Sequence, residues 1–167
     1  MDRGDVGVLV LLDLSAAFDS VDHATLIERL SITCGLNEHA LSWISSYLHG
    51  RTQQVVYNNS TSNMAAVTCG VPQGSVLGPM LFTLYIADLA PLIERHQLVP
   101  NLYADDKQVA GYCKPSNVSS LQNSVSDCLT EVSDWMRSNR LQLNTGKTEV
   151  IWVGSSHKQH LLPTVPF

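Results

Sequence analysis

Two adjacent carboxylates, Asp105 and Asp106, are the side chains of this sequence with the clearest capacity for chemistry. They separate an apolar run, residues 98–103, from a second strand-like run, residues 108–113, which is the pattern of a β-hairpin with the aspartates at its tip. Two like charges side by side repel each other unless a cation or solvent offsets the repulsion. The pair therefore indicates a cation site or, as the simpler alternative, a solvated turn, in which Asp is a favoured residue.

A third carboxylate, Asp13, follows the near-continuous apolar run of residues 6–12. A strand that is apolar at every position is expected to be buried on both faces in the middle of a sheet, and its carboxyl end lies at the sheet edge where ligands often bind. If this strand lies beside the hairpin, Asp13 meets Asp105 and Asp106. Three converging carboxylates would form a site of hard oxygen ligands suited to Mg²⁺, which completes its shell with water and phosphate oxygens.

A glycine-rich block at residues 70–79 separates a strand-like segment from a helix-like one. It holds three glycines and two prolines in ten residues, so it is neither a strand nor the start of a helix. Glycine permits close backbone approach, and Pro72 fixes a turn that would present Gln73. The block indicates a ligand-binding loop or, alternatively, a simple connection between a strand and the buried helix predicted over residues 76–89.

The remaining elements are predicted from hydrophobic periodicity and from capping residues. Asp22 and Asn37 are candidate N-caps of two successive helices. His23 and His39, beside these caps, are expected to be surface groups. The predicted elements are helices over residues 22–35 and 37–48, a hairpin over 51–68, an amphipathic helix of about five turns over 118–135, and short strands over 141–143 and 149–153.

The composition fits one folded domain of 167 residues with 44% apolar content. Its net charge of −5 and pI near 5.6 do not by themselves indicate nucleic-acid binding, because Lys and Arg normally neutralise phosphates. The four cysteines lack metal-ligand spacing, which indicates reduced thiols and argues against a zinc site or a disulfide framework. The apolar run of residues 6–12 is too short to span a bilayer, so cytoplasmic or nuclear residence is the default expectation.

Three ordered segments of the chain resemble the first three palm motifs of reverse transcriptases. They are Leu-Asp-Leu-Ser-Ala-Ala-Phe-Asp at residues 12–19, Gly-Val-Pro-Gln-Gly-Ser-Val-Leu-Gly-Pro at 70–79, and Tyr-Ala-Asp-Asp at 103–106. A fourth segment, Leu-Gln-Leu-Asn-Thr-Gly-Lys-Thr at 141–148, resembles the next palm motif. The resemblance covers residues 5–155. It points to the non-LTR retrotransposon (long interspersed element) branch rather than the retroviral one, whose second motif usually has an aromatic residue after its Gln-Gly pair.

The resemblance implies an α+β fold, a polymerase palm in which helices pack on one face of a ferredoxin-like antiparallel sheet. Residues 1–154 would form a partial palm without the fingers and thumb, and residues 155–167 would be a truncated, loose tail leading from palm to thumb. In the family, the fingers and thumb carry the basic residues that hold the triphosphate and the duplex. A palm alone would therefore be acidic, and this fragment alone is expected to be inactive.

In this family the palm performs templated nucleotidyl transfer to a primer 3′-hydroxyl with two Mg²⁺ ions, for which Mn²⁺ can substitute. By motif match, Asp13 and Asp105 would bridge the metals, Asp106 would assist, and the carbonyl of Leu14 would complete one metal shell. Lys147 would assist the departure of pyrophosphate, although a lysine after a glycine turn is also a common surface charge.

The resemblance also implies a set of nucleotide-binding residues. Phe18 would close on the sugar, so that a 2′-hydroxyl collides with its ring and deoxynucleotides are favoured; the alternative is a core aromatic side chain. Gln73 would lie against the incoming nucleotide and the template base. Leu14, Ser15 and Gly74 would complete this nucleotide-binding set.

Three other polar residues near the motifs have simpler interpretations. Asp19 and Asp22 are expected to cap the following helix rather than to bind metal. Arg51 could contact a phosphate, but a solvated position at a helix end is favoured.

Three functions remain open from the sequence. The first is a fragment of an RNA-directed DNA polymerase, with an RNA template, a DNA primer and deoxynucleoside triphosphates as partners. The second is a non-catalytic retrotransposon relic or a palm recruited for nucleic-acid binding. The third is an unrelated metal-dependent phosphotransferase or receiver-type α/β protein. The hairpin position of Asp105 and Asp106 disfavours the third, because such folds alternate parallel strands with helices.

Overall fold

The computed structural model describes residues 5–103, 106–155 and 162–163. Over these ranges the chain forms ten strands and five α-helices. The strands are β1 (Val6–Leu12), β2 (Leu14–Ser15), β3 (Thr52–Gln53), β4 (Val56–Tyr57), β5 (Ser60–Thr61), β6 (Ala65–Ala66), β7 (Val99–Tyr103), β8 (Asp106–Cys113), β9 (Gln142–Leu143) and β10 (Glu149–Val153). The helices are α1 (His23–Ile32), α2 (Glu38–Leu48), α3 (Leu77–Tyr85), α4 (Leu89–Arg95) and α5 (Val118–Ser138), and short 3₁₀ helices cover Phe18–Ser20 and Pro115–Asn117.

The chain divides into two compact units. Unit 1 comprises Met1–Ala17 and Ile86–Phe167, and unit 2 comprises Phe18–Tyr85. Unit 1 holds the four-stranded sheet with helices α4 and α5. Unit 2 holds helices α1, α2 and α3 and the hairpin formed by β3 to β6.

The sheet of unit 1 is antiparallel throughout, in the order β10-β1-β8-β7. Taken in chain order, its first strand lies between its third and fourth, and its second strand is at an edge. This is the strand order of a ferredoxin-like α+β fold, with α5 in the connection between β8 and β10. The predicted fold class is confirmed.

One face of this sheet forms the core of unit 1. Side chains alternate between faces along a strand, and burial alternates through β8 and, from Val8 onward, through β1. Helix α5 packs on this face, because an added Cβ at Gly111 would lie 2.9 Å from Leu121 Cδ1. The buried residues on this face of the two central strands are Val6, Val8, Val10, Leu12, Lys107, Val109 and Gly111, and Gly7 in β1 is buried as well.

Strand β1 was expected to be buried on both faces, and this detail is wrong. The strand does lie in the middle of the sheet, but Leu9 and Leu11 are only partly buried whereas Val8 and Val10 are buried. The helices of unit 1 cover the face that carries Val8 and Val10. The opposite face carries Leu9 and Leu11, so an all-apolar strand does not require two covered faces.

Unit 2 begins its helices at the predicted caps. The side chain of Asp22 accepts a hydrogen bond from the Thr25 backbone N–H, and that of Asn37 accepts one from Ala40, each at 2.9 Å. Such N-caps stabilise a helix by about 1 kcal/mol. The ring of Phe82 in α3 is fully buried.

The segment predicted as one helix over residues 76–89 is instead broken. Helix α3 ends at Tyr85, and α4 begins at Leu89 after a turn in which the Leu89 N–H donates to the Ile86 carbonyl at 2.9 Å. Apolar residues continue at helical spacing through the turn, so periodicity alone did not reveal the break.

Helix α5 is longer than predicted. It covers Val118–Ser138 and ends with Arg140 in the left-handed region at φ 58°. The Leu141 N–H donates to the Met136 carbonyl at 2.8 Å, and the Arg140 N–H donates to the Arg137 carbonyl at 3.2 Å, which together form a Schellman motif.

Over the described part of the chain, no single helix combines the length and apolar composition needed to cross a membrane. One bent pair, α3 with α4, meets both criteria only when the two helices are counted as one segment.

Candidate functional site

The register of the sheet places two of the predicted carboxylates at the same end of neighbouring strands. The pairing of β1 with β8 ends at Leu12 opposite Lys107. Asp13 directly follows Leu12, and Asp106 directly precedes Lys107. The two carboxylates therefore lie at the same end of the two adjacent central strands, after the last residue of β1 and at the first residue of β8. Asp105 lies outside the described residues, and its predicted role stays a prediction.

Lys147 is brought to Asp13 by a turn between β9 and β10. The Asn144 N–H donates to the Asp13 carbonyl at 2.9 Å, and the Lys147 N–H donates to the Asn144 carbonyl at 3.1 Å. In this arrangement Lys147 Nζ lies 3.9 Å from Asp13 Oδ2, with the two side chains 73% and 40% exposed. The lysine and carboxylate predicted from separate motifs are therefore an ion pair open to solvent.

The backbone that follows Asp13 is held in a second, short ladder. Leu14 pairs with Leu143 and Ser15 with Gln142 in the antiparallel pair β2 and β9. Leu14 is buried and Ser15 is half-buried. Ala16 then adopts a left-handed conformation with φ 48°. The segment carrying Asp13, Leu14 and Ser15 is thus fixed by strand pairing before and after the carboxylate.

In unit 2, the predicted loop at residues 70–79 is hydrogen-bonded to the start of the same unit. The Gly70 N–H donates to the Val21 carbonyl at 2.7 Å, and the Val71 N–H donates to the Phe18 carbonyl at 2.8 Å. Gly70 has φ 88°, and a Cβ there would lie 2.9 Å from Asp19 Cα. The close backbone approach expected of this glycine is present.

Gln73 and Asp19 contact each other across this junction. Gln73 Nε2 donates to Asp19 Oδ1 and Oδ2 at 3.1 Å each, and both residues are exposed. Asp22 caps α1 as expected, whereas for Asp19 the expectation of a helix cap is wrong: its carboxylate binds the glutamine amide.

Two further residues of the nucleotide-binding set also lie in unit 2. The ring of Phe18 lies 5.1 Å from that of Phe82, centroid to centroid, and is half-buried. Gly74 is exposed with φ 75°, and an added Cβ there would have nothing within 4 Å. The side chain of Ser75 then turns the chain into α3 by donating to the Pro72 carbonyl at 2.7 Å and accepting from the Gly78 N–H at 3.0 Å.

His23 was expected at the surface, and the structure contradicts this. It is 9% exposed, and its Nε2 lies 2.7 Å from the Gly70 carbonyl oxygen. The first turn of α1 packs beneath the loop, which a sequence pattern of cap and helix does not show. His39 is exposed as expected, and so is Arg51, whose guanidinium lies over the Tyr47 ring at 5.4 Å from the centroid.

The described carboxylates alone do not complete a metal site. Among residues 5–103, 106–155 and 162–163, no group of three or more His, Cys, Asp or Glu side chains is arranged to hold a metal ion. Asp13 and Asp106 lie within these ranges, and Asp105 does not.

Two of the shifted pKa values in unit 1 belong to helix α5, and a third belongs to Cys113 in β8, whose pKa is raised by burial with a smaller contribution from the charge of Asp5. A hydrogen bond from His96, assisted by the charge of Arg95, lowers the pKa of Glu131 against a smaller opposing effect of burial. Burial, with a smaller contribution from the charge of Glu131, raises the pKa of Cys128 to about 11. The ion pairs of Glu131 with Arg95 and His96 link α5 to the end of α4.

Comparisons with known proteins agree with the fold and the motifs. The family model of the reverse transcriptase (RNA-dependent DNA polymerase) matches residues 2–161. The chain therefore belongs to the reverse transcriptase family.

The relatives point to one branch of that family. The chain is 31% identical over 144 residues to a probable RNA-directed DNA polymerase from transposon BS of Drosophila melanogaster, covering 83% of this chain and 16% of the relative. It is 30% identical over 142 residues to the RNA-directed DNA polymerase from mobile element jockey of Drosophila funebris, covering 81% and 15%. These relatives confirm the predicted non-LTR branch, and the chain spans about a sixth of their length.

Solved structures support the fold alone. The apo telomerase of Candida tropicalis, truncated from its C-terminal domain, superposes with a TM-score of 0.66 at 15% identity over 90% of this chain and 32% of that one. The telomerase of Candida albicans in complex with a fragment of telomeric RNA gives 0.67 at 13% identity over 87% and 27%.

Proposed function

We propose that this chain is the catalytic palm of an RNA-directed DNA polymerase, which extends a primer 3′-hydroxyl with deoxynucleoside triphosphates on an RNA template. The observation that carries the proposal is the register that ends two adjacent central strands in Asp13 and Asp106, with Lys147 paired to Asp13. Family membership supports the reaction class. Because the chain covers 16% of a full relative, the polymerase would be a longer protein that adds fingers and thumb.

The donor set at this end of the sheet fits a divalent metal. Carboxylate and carbonyl oxygens are the ligands that Mg²⁺ prefers. Asp13 and Asp106 offer carboxylates at partly or fully exposed positions, the buried Leu14 contributes its backbone carbonyl directly after Asp13, and Asp105 precedes Asp106 in the sequence. We assign these four residues to metal binding, with Mg²⁺ as the ion and Mn²⁺ as a substitute. Two bound ions would supply activation of the attacking hydroxyl and stabilisation of the leaving pyrophosphate.

Lys147 has two roles in this proposal. Its ammonium offsets the charge of Asp13 before substrate binds, because the two groups form an exposed pair at 3.9 Å. Such a pair is weak in water, so it can break readily. The ammonium is then free to donate a hydrogen bond to the departing phosphate, as expected of an acid near a leaving group.

The proposal also assigns the predicted nucleotide-binding residues to contacts with the incoming nucleotide. Leu14 and Ser15 follow Asp13 on fixed backbone, which suits contacts with a triphosphate. The ring of Phe18 would oppose a 2′-hydroxyl, and the amide of Gln73 would face the base with Gly74 leaving room beside it. The exposed positions of Gln73 and Gly74 favour this assignment over a purely structural loop.

The test is primer extension on an RNA template with Mg²⁺. We expect a protein extended into the flanking fingers and thumb to incorporate nucleotides, and Asp13→Asn to lower the rate by about 10³-fold, equivalent to about 4 kcal/mol of transition-state stabilisation. Asp127→Asn is the matched control, since Asp127 is an exposed carboxylate on α5. We expect negligible extension by the 167-residue chain alone.

Two outcomes would contradict the proposal. A folded, extended protein that incorporates no nucleotide would favour a relic or a binding role. An Asp13→Asn variant as active as Asp127→Asn would remove Asp13 from the chemistry.

A further inference from the structure

His23 is a buried imidazole whose hydrogen bond reaches the loop at residues 70–79. It is the first residue of α1 and is 9% exposed. Its Nε2 lies 2.7 Å from the Gly70 carbonyl oxygen. A carbonyl oxygen can only accept a hydrogen bond, so Nε2 must carry the hydrogen.

Hydrogen bonds hold the peptide groups before and after Gly70. Its N–H donates to the Val21 carbonyl at 2.7 Å, and the next N–H, that of Val71, donates to the Phe18 carbonyl at 2.8 Å. The hydrogen bond from His23 completes this set by satisfying the Gly70 carbonyl. Three bonds therefore fix the first peptides of the loop against residues 18–23.

This junction also carries residues that the proposed function assigns to the nucleotide. Phe18 provides one of the backbone acceptors, and Gln73 follows Gly70 by three residues. The Gln73 amide donates to Asp19 at 3.1 Å, within the same hydrogen-bonded frame. A shift of the Gly70 peptide would therefore move Gln73 relative to Phe18.

We propose that His23 is a positioning residue: its Nε2–H holds the Gly70 carbonyl and so fixes the loop that presents Gln73. The role in nucleotide binding rests on the proposed function, whereas the role in holding the loop does not. His23 touches neither substrate nor metal in this assignment. It acts through the backbone of the loop.

The surroundings of His23 decide which substitutions are informative. A cavity of about 370 Å³ lies beside it, lined by Asp22, Ser45, His49 and Thr68 among others. The His49 ring is 6.3 Å away, centroid to centroid. Alanine at position 23 would let water enter and satisfy the carbonyl, so a side chain that fills the space without a donor is the sharper change.

The first measurement is NMR on this chain. We expect long-range ¹H–¹⁵N correlations to show the hydrogen of His23 on Nε2. Finding it on Nδ1 alone would overturn the proposal without any variant.

The second measurement is amide hydrogen exchange in matched variants. His23→Met fills the space but cannot donate, whereas His23→Gln keeps an N–H donor at similar reach. We expect His23→Met to speed exchange of the Gly70 and Val71 amides at least about tenfold relative to Leu30 in α1, and His23→Gln to stay within about threefold of the original. His39→Met is the control at an exposed position on α2.

Equal exchange in the Met and Gln variants would overturn the proposal, because packing alone would then explain the histidine. If the Met variant does not fold, the tautomer and the Gln variant still decide the matter. Loss of protection in the Gln variant, despite its donor, would count against the hydrogen bond.

The third measurement tests the link to the nucleotide in the extended polymerase. We expect His23→Met to raise KM for the deoxynucleotide about tenfold with a smaller change in kcat, and His23→Gln to restore KM. A uniform loss of kcat in both variants would indicate a merely structural role. Because Asp13→Asn tests the polymerase reaction separately, failure of one proposal does not decide the other.

Discussion

Substituting Gly70 by alanine should destabilise unit 2 far more than the same change at Gly35. Both glycines have positive φ, 88° at Gly70 and 65° at Gly35. Only Gly70 is also crowded: an added Cβ would lie 2.9 Å from Asp19 Cα, 3.0 Å from Asp19 O and 3.1 Å from Phe18 O. At Gly35 there is nothing within 4 Å. The pair of variants therefore separates conformational strain from steric overlap.

The magnitudes follow from these two terms. A non-glycine residue at positive φ costs about 1–2 kcal/mol, and the loss of unfolded-chain freedom returns roughly 0.4–1 kcal/mol. We therefore expect Gly35→Ala to lower the free energy of unfolding by about 1 kcal/mol. Overpacking adds about 1–3 kcal/mol, near the upper end when the crowding atoms are backbone. Gly70→Ala should then lose about 3–4 kcal/mol.

The assay is equilibrium urea unfolding followed by tryptophan fluorescence, with the midpoint and slope fitted for each variant. Trp43 in α2 reports on unit 2. If Gly70→Ala and Gly35→Ala differ by less than about 0.5 kcal/mol, the close approach of the loop to Phe18 and Asp19 is not a feature of the folded protein.

Three further predictions concern single side chains of unit 1. Lys147→Ala in the extended polymerase should lower kcat by roughly 10²-fold through loss of an acid at the leaving group, as measured by single-turnover incorporation. It should change the free energy of unfolding by less than about 1 kcal/mol, measured by urea unfolding, because its ion pair with Asp13 is exposed. An unchanged rate would mean that Lys147 is only a surface charge. The folded-state pKa of Glu131 is lowered, first by its hydrogen bond from His96, so its contribution to stability is present above the unfolded pKa and is lost as pH falls through the folded one. On acidification below pH ~4.5, the Glu131→Gln variant should therefore lose less stability than the original chain. The urea midpoint of each protein, measured as a function of pH, tests this. The prediction is wrong if the midpoints of the two proteins fall in parallel. The Cys128 thiol is buried and its pKa is raised to about 11. It should therefore resist a thiol reagent at pH ~8, whereas the exposed Cys69 should react. Peptide mass spectrometry measures the labelling, and rapid labelling of Cys128 in the folded chain would refute its burial.

The features that the sequence predicted well depend on residues close together in the chain. Asp22 and Asn37 cap their helices because a side-chain oxygen needs only the N–H three residues on. The hairpin of β7 and β8 and the place of β1 in the sheet follow from apolar runs bounded by polar residues. The resemblance to palm motifs assigned Asp13, Asp106 and Lys147 to one catalytic set, which no local pattern contains, but the ion pair between Asp13 and Lys147 is a finding of the structure.

The features that sequence missed depend on packing between distant segments. His23 looked like a surface group beside a cap, but the loop that covers it begins at Gly70, far along the chain. Asp19 was assigned to the helix that follows, whereas its partner is Gln73. The break between α3 and α4 lies inside a continuous apolar pattern, so it is set by the turn at residues 86–88 rather than by periodicity.

The alignment of the candidate site is set by packing at the opposite end of the strands. Side chains alternate along a strand, so a slip of one residue between β1 and β8 would send every buried side chain to the other face. Gly111 opposes Val8 and leaves no room for a Cβ, which would lie 2.7 Å from Leu98 Cδ2 and 3.2 Å from Val8 Cγ1.

After such a slip, Ala110 or Tyr112 would have to occupy this crowded position, and neither fits without displacing its neighbours. The glycine therefore selects the register in which Leu12 opposes Lys107. It is this register that ends the two strands in Asp13 and Asp106. A residue with no chemistry of its own thus determines which carboxylates lie at this end of the two strands.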